Sequence, residues 1–148
     1  IKLNDWSSIQ SVNLTGPFLI MREISKKMIK RRKGNILNIS SIFGSVGKAE
    51  RASYSASKWG LVGLTKSSAL DLSKYNILVN SLSPGVINSK LTKKILGKKG
   101  IENIKKQIPL GRLANSEEIT KLIIFLVSKE NSYITGQNII ADGGYTCG

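Results

Sequence analysis

Apolar positions recur at two periods along this chain, and the switches between them mark its elements. From Asp5 to about Lys33 the residues Ile9, Val12, Phe18, Ile20, Met21, Ile24 and Met28 fall largely at helical spacing. The stretch closes in Lys30-Arg31-Arg32-Lys33-Gly34, a basic last turn favoured by the helix dipole and a glycine stop. Asn35-Ile36-Leu37-Asn38-Ile39-Ser40 is short, β-prone and bounded by Gly34 and the Ser41–Gly47 loop, which predicts a buried strand. A second helix is predicted from about Ala52 to Lys74, carrying Leu61, Leu64, Leu70 and Leu72. Its first half holds Ala52, Ala56, Gly60 and Gly63, and interior glycines cost about 1 kcal/mol each relative to alanine. Close approach of another backbone is the expected compensation. Ile77–Leu82 reads as the next strand, stopped by Ser83-Pro84-Gly85, and the Lys-rich, weakly patterned segment from Val86 to Ile108 is expected to be mobile. Asn115 with Glu118 forms a capping-box variant ahead of Ile119, Leu122, Ile123 and Leu126, a third amphipathic helix, and Gln137–Ala141 is the last strand.

Helix, strand, helix, strand, helix, strand is the order of an α/β parallel sheet covered on both faces. The layer structure is incomplete, because the first helix has no strand to cross over from. At 148 residues and 16.1 kDa, with 41% hydrophobic and 22% charged residues, the chain has a globular balance and fits at most one domain. Its formal charge of +14 raises the question of a nucleic-acid footprint. Aromatics make up only 6% and lysines are spread from Lys2 to Lys129, so no stacking platform or basic face is expected, and no nucleic-acid partner. With 20 Ile and 11 Asn beside 18 Lys, the charge reads as a background bias in residue usage.

Absences narrow the chemistry further. Zero His removes imidazole dyads, the Ser-His-Asp triad and His-ligated metals. The single Cys147 gives no disulfide framework or thiolate cage and fits a reducing, cytoplasmic setting, and no metal site is expected. No apolar run reaches the roughly 18 residues of a membrane span. The start at Ile1-Lys2-Leu3-Asn4-Asp5-Trp6 lacks an initiator Met and a signal-peptide layout, and reads as a cut chain.

The most informative spacing is Tyr54-Ser55-Ala56-Ser57-Lys58, which on a helix stacks Tyr54 and Lys58 on one face. A phenol titrates near about 10 when free, and a cation within about 4–6 Å favours its ionised form. The same pair also occurs on solvated helix faces, so alone it carries little. Ser41 alters the weighing. It follows directly on the apolar strand, and residues at the carboxyl ends of parallel strands line the ligand crevice.

The pattern Ser41-x12-Tyr54-x3-Lys58, with Tyr54-Ser-Ala-Ser-Lys58-Trp-Gly60, resembles the short-chain dehydrogenase/reductase family. The resemblance spans essentially the whole chain. Val12-Asn13-Leu14-Thr15-Gly16 is similar to the family's central-helix Asn motif, and Asn80-Ser81-Leu82-Ser83-Pro84-Gly85 to its Asn-x3-Pro-Gly strand end. Pro109-Leu110-Gly111-Arg112, Ile134-Thr135-Gly136-Gln137 and Asp142-Gly143-Gly144 resemble its C-terminal signatures. The implied fold is a partial Rossmann-type doubly wound sheet, residues 1–148 being the C-terminal part of one NAD(P)-binding domain. The implied roles are Tyr54 as general acid/base, Lys58 promoting its ionisation and holding the nicotinamide ribose, Ser41 on the substrate oxygen and Asn13 on a relay water. The Pro84-Gly85-Val86-Ile87-Asn88-Ser89 loop is implied to meet the cofactor, Ile87 by its backbone at the carboxamide and Ser89 by its hydroxyl near the phosphates. Ser89 stands where Thr is usual.

Asn13 has a local argument too. An α-helical N–H at residue 17 would bond its carbonyl, but residue 17 is proline, so the carbonyl is left for an ordered water or plain solvent. Ser55-x-x-Lys58 also has the spacing of a Ser-Lys acyl hydrolase, without the Lys-Thr-Gly and Ser-Asp-Asn partners. Gly44-Ser45-Val46-Gly47 lacks the lysine of a phosphate loop.

The Gly-rich strand–turn–helix that seats a dinucleotide pyrophosphate, and the residue that selects NAD or NADP, are missing from this sequence. The resemblance assigns both to an N-terminal half. The 148-residue chain alone is therefore expected neither to bind NAD(P)H tightly nor to turn over, and its first strand to expose an apolar edge. For the complete protein the implied reaction is hydride transfer with a carbonyl or secondary alcohol. Two substrate classes are open: a 3-oxoacyl thioester on acyl carrier protein, for which Arg31, Arg32 and Lys33 beside the active-site strand would suit an acidic carrier, or a sugar, polyol or other small alcohol. A homodimer or homotetramer built on the first two helices is implied as well.

Overall fold

In the computed structural model, residues 1–147 are described. The long first helix is in fact broken. Helix α1 (Leu3–Gln10) runs through a π turn at Ser11–Thr15 into α2 (Gly16–Arg31). Pro17 is the cause: it has no N–H and its ring crowds the Asn13 carbonyl, so the turn widens and Gly16 N–H reaches back to Ser11 O. The expected Gly34 stop is also displaced. The left-handed residue is Arg32 (φ 49°), whose N–H bonds Ile29 O at 3.1 Å while Lys33 N–H bonds Met28 O at 3.3 Å. Gly34 instead opens the first strand, and a Cβ there would collide with the Met28 thioether.

Strands β1 (Gly34–Ile39), β2 (Ile77–Pro84) and β3 (Asn138–Ala141) form a parallel sheet in the order β1-β2-β3. Gly34 pairs with Ile77 and Ile39 with Leu82; Ser81 pairs with Asn138 and Pro84 with Ala141. Helix α3 (Ala52–Ser73) connects β1 to β2, and α4 (Lys90–Lys105) and α5 (Ser116–Val127) connect β2 to β3. Ile77, Val79 and Leu82 are wholly buried and so are Ser81 and Ser83 on the same strand, as befits a central strand covered on both faces. Met21, Ile36, Ala69, Leu72, Ile77 and Val79 form the core under α2 and α3.

Buried hydroxyls and amides of the sheet satisfy one another. Asn138 Oδ1 accepts from Ser81 Oγ (2.9 Å) and Ser83 Oγ (2.7 Å), and its amide donates to Ser45 Oγ at 3.0 Å. The last bond ties the loop after β1 to β3.

Two expectations are corrected here. The segment expected to be mobile forms α4, capped by Ser89 and broken at Gly97 (φ 61°, ψ 179°), a backbone shape for which glycine is suited. It buries none of its residues, which is why its apolar pattern reads so weakly. Within the described chain the glycines of α3 meet no other backbone at close range: a Cβ at Gly60 would meet the Leu14 side chain at 2.9 Å, and one at Gly63 would meet nothing within 4 Å, which leaves that position open. The bared strand edge is present as expected. Among the described residues nothing pairs with the outer side of β1, and a trough there is lined by Val12, Pro17, Ile20, Ile24 and Ile39.

Candidate active site

The site grows from the carboxyl end of β1. Ser40 N–H makes a last bond to Leu82 O at 2.7 Å, and Ser40 Oγ donates to the Lys58 carbonyl on α3 at 3.1 Å. Gly44 closes the same contact from the loop, since a Cβ there would lie 2.9 Å from Lys58 O. The first half of α3 is thus clamped against the loop that carries Ser41. Ser41 itself is buried in extended backbone, and its Oγ accepts from Phe43 N–H at 3.3 Å, capping the short turn Ile42–Gly44.

Tyr54 is half-buried in the first turn of α3, its ring edge-on to Phe43 with centroids 6.5 Å apart. Lys58, one turn on, donates from Nζ to the Ile39 carbonyl at 2.9 Å and holds that ammonium 5.7 Å from the Tyr54 ring centroid. Burial pushes the Lys58 ammonium below the usual lysine range. Ser41 and Tyr54 line one cavity of about 340 Å³, together with Phe43, Arg51, Val86 and the α4 residues Leu91 and Ile95. Lys58 and Asn13 line the trough along β1 instead. Lys58 joins the two sides because it stands against the Tyr54 ring.

Asn13 sits within the π turn, and its amide donates to Ser57 Oγ at 3.2 Å while Ser57 Oγ donates to Tyr54 O at 2.7 Å. Nearby, Gln10 Nε2 donates to Ser53 O at 2.9 Å. The broken helix is therefore stitched to the first turns of α3. Ser55 Oγ is buried and has no hydrogen-bond partner among the described residues, and the Lys58 ammonium is directed to Ile39. Nothing here activates Ser55 as a nucleophile.

The loop after β2 is held at its start. Pro84 pairs with Ala141, Gly85 N–H bonds Ala141 O at 2.9 Å, and a Cβ on Gly85 would lie 2.8 Å from Asp142 Cα. Ile87 bridges to Ala114. The Ser89 hydroxyl is engaged as the α4 cap, accepting from Thr92 N–H at 3.0 Å and lying 2.9 Å from Thr92 Oγ1. Arg31, Arg32 and Lys33 need correction: they flank the start of β1, at the end of the strand opposite Ser41, eight residues or about 26 Å along an extended chain at ~3.3 Å per residue. Arg32 Nη2 donates there to Lys74 O at 2.9 Å. The residues beside Tyr54 that sequence reasoning missed are Phe43, Arg51, Leu91 and Ile95. The i, i+3 spacing of Arg51 and Tyr54 carried the signal for one of them.

Comparison with known proteins bears on what this geometry belongs to. A family model described as enoyl-(acyl carrier protein) reductase matches residues 1–146. The chain belongs to the short-chain dehydrogenase/reductase family. It is 44% identical over 144 residues to the 3-oxoacyl-[acyl-carrier-protein] reductase FabG of Aquifex aeolicus, matching 97% of this chain and 58% of that protein. It is 47% identical over 146 residues to trans-4-hydroxycyclohexanecarboxylate dehydrogenase of Sinomonas cyclohexanicum, matching 99% of this chain and 54% of that one. A 4-hydroxyisoleucine dehydrogenase solved with NADH superposes with a TM-score of 0.94 at 39% identity, covering 99% of this chain and 61% of that structure. Other matching family structures hold NADP. The chain thus spans a little more than half the length of the relatives it matches. Among the described residues no helix is long and apolar enough to cross a membrane.

Proposed function

We propose that this chain supplies the catalytic part of an NAD(P)-dependent oxidoreductase that interconverts a carbonyl and a secondary alcohol. The observation that carries the reading is that Ser41 and Tyr54 share one cavity while the Lys58 ammonium, pinned to Ile39, stands 5.7 Å from the Tyr54 ring. The residues present fit the nicotinamide-riboside half of the cofactor. Lys58 spends one N–H on Ile39 and keeps two for ribose hydroxyls, and the Pro84–Ser89 loop, with Gly85 and Ile87, follows the carboxyl end of β2 where such ligands bind. No Gly-rich turn for the pyrophosphate lies in this sequence. When bound, the cofactor supplies or accepts the hydride.

The remaining chemistry belongs to side chains. In reduction Tyr54 Oη gives its proton to the substrate oxygen, and in oxidation it takes that proton back. The Lys58 charge beside the ring stabilises the phenolate left after the transfer. Ser41 Oγ accepts from Phe43 N–H, which leaves its own proton free to donate to the substrate oxygen. Asn13, whose carbonyl cannot receive a bond from Pro17, is the anchor of the relay water that resupplies Tyr54. The substrate is a 3-oxoacyl thioester or a small hydroxy compound, the classes named for FabG and for the hydroxycyclohexanecarboxylate and hydroxyisoleucine dehydrogenases.

The same reading includes a cytoplasmic homodimer or homotetramer, with α2 and α3 at the contact. Phe18, Trp59 and Leu70 are exposed there, and the open space at Gly63 leaves room for close approach. Tyr54→Phe in the full-length enzyme tests the central assignment. Turnover is expected to drop by about 10²- to 10⁴-fold with the circular dichroism unchanged; near-normal activity would overturn it.

A further inference from the structure

Among the described residues the cavity that holds Tyr54 has one charged residue in its lining, Arg51, and that residue has no counter-ion. Its other walls are Ser41, Phe43, Val86, Leu91, Thr92, Ile95 and Leu96, which are neutral and mostly apolar. Arg51 occupies the N-cap of α3, three residues ahead of Tyr54, and both line this cavity. Two other arginines of the chain are paired with carboxylates, Arg22 with Glu23 at 2.9 Å and Arg112 with Glu118 at 2.7 Å. Among the described residues Arg51 makes no ion pair and no side-chain hydrogen bond, although Glu50 is adjacent in sequence.

Apart from Glu50, with which Arg51 forms no ion pair, the described surroundings add positive charge. Lys48 Nζ stands 6.0 Å over the ring of Phe43, a wall residue. The amino end of α4 meets the cavity through Leu91 and Thr92, carries no acidic residue in its first turn, and presents the positive end of the peptide dipoles. A cation left unpaired at the rim of an apolar cavity is the counterpart of an anion brought by the ligand. A guanidinium pairs best with a planar carboxylate, by two parallel bonds.

We infer that Arg51 binds the carboxylate of the substrate, so that the cavity takes short oxo or hydroxy acids with a free acid group. Their reacting oxygen then lies at Ser41 and Tyr54, and their compact carbon skeleton against Phe43, Leu91 and Ile95. A cavity of about 340 Å³ has room for a small acid. This inference rests on the oxidoreductase reading and adds the substrate class.

The test is steady-state kinetics of the full-length enzyme on a panel of short linear and alicyclic hydroxy acids, each paired with its methyl ester. The unaltered enzyme is expected to favour the acids in kcat/KM. Arg51→Gln is expected to raise KM for the acids by at least about tenfold, the scale of a lost charge-assisted pair, with kcat and all ester kinetics little changed. Arg51→Lys is expected to recover part of the loss. Unchanged ester turnover in the variant also shows that it folds. Equal responses of acids and esters to Arg51→Gln, or a preference of the unaltered enzyme for esters or acyl thioesters, would overturn the role of Arg51 and leave the oxidoreductase reading standing. Failure of the unaltered enzyme to reduce NAD(P)⁺ with any alcohol would remove both.

Discussion

The Lys58 ammonium donates to the Ile39 carbonyl at 2.9 Å, so the final residue of β1 sets where the positive charge of α3 stands. The bond makes the sheet, and not the helix alone, the reference frame for the charge beside Tyr54. Lys58→Met keeps the apolar stem and removes the charge. Turnover of the full-length enzyme is expected to fall by at least about 10²-fold, with the helix content by circular dichroism retained.

The same side chain leaves a signature in stability. Burial holds the Lys58 value below the ordinary 10.5, so the native chain gives up this proton at a lower pH than the unfolded one. Between the two values the unfolded state binds more protons, and stability rises with pH. Below that window the burial penalty is complete, and above 10.5 it is gone. Urea midpoints measured into the alkaline range are expected to climb in the parent relative to Lys58→Met, by a small amount because the side chain is only half-buried.

Gly44 offers a test that touches no chemical group. A methyl there would meet Ser40 Oγ at 2.6 Å and the Lys58 carbonyl at 2.9 Å, and the second of these is backbone. Gly44→Ala is expected to cost about 1–3 kcal/mol in urea unfolding, as overpacking does. Because the displaced atoms carry Tyr54 and Lys58, kcat is expected to fall more than the loss of folded protein accounts for.

Much of this was legible in the sequence because it rests on period and spacing. The strands at Asn35–Ser40 and Ile77–Leu82 and the helix from Ala52 each matched within a residue or two. The placement of Tyr54 and Lys58 on one helix and of Ser41 after a strand end was legible because a helical turn and a strand end are local features. What was hidden depends on what faces what. The basic run Arg31–Lys33 looked close to the site because sequence distance ignores which end of a strand a residue occupies. Helix α4 buries nothing, so its apolar residues gave no clear stripe, yet Leu91 and Ile95 wall the cavity. The clamp of Ser40 and Gly44 on Lys58 joins residues 14 and 18 positions apart, and no local pattern announces such a contact.

Beyond the loop after β2, Arg112 grips both oxygens of Glu118, at 2.7 and 2.8 Å, and Asn115 N–H adds a bond of 2.8 Å. These partners pull Glu118 from 4.5 down to about 2. A depressed carboxyl contributes stability that is present above the unfolded value and lost as the pH falls from 4.5 through about 2. Glu118→Gln is expected to flatten that part of the acid-unfolding curve, and added salt to shrink the difference between parent and variant, since the pair is exposed. An acid limb identical in the two proteins would show that the pair does not couple to folding.

The last expectation concerns the 148-residue chain alone. The Ser41–Tyr54 cavity is formed in it, but the pyrophosphate of a dinucleotide needs a helix amino end with free N–H groups behind a Gly-rich turn. The amino end of α4 borders the cavity, and its Thr92 N–H is already taken by the Ser89 hydroxyl. The outer edge of β1 lies open beside Ile20 and Ile24, where a further parallel strand would complete the sheet. A fluorescence titration of NADH or NADPH into the purified chain is therefore expected to show no micromolar binding. Addition of a polypeptide equivalent to the N-terminal half of a relative is expected to restore binding by pairing along β1. Tight binding by the chain alone would mean that the residues from Ser41 to Ser89 hold the cofactor without a phosphate seat, and would overturn the division of labour proposed for this fold.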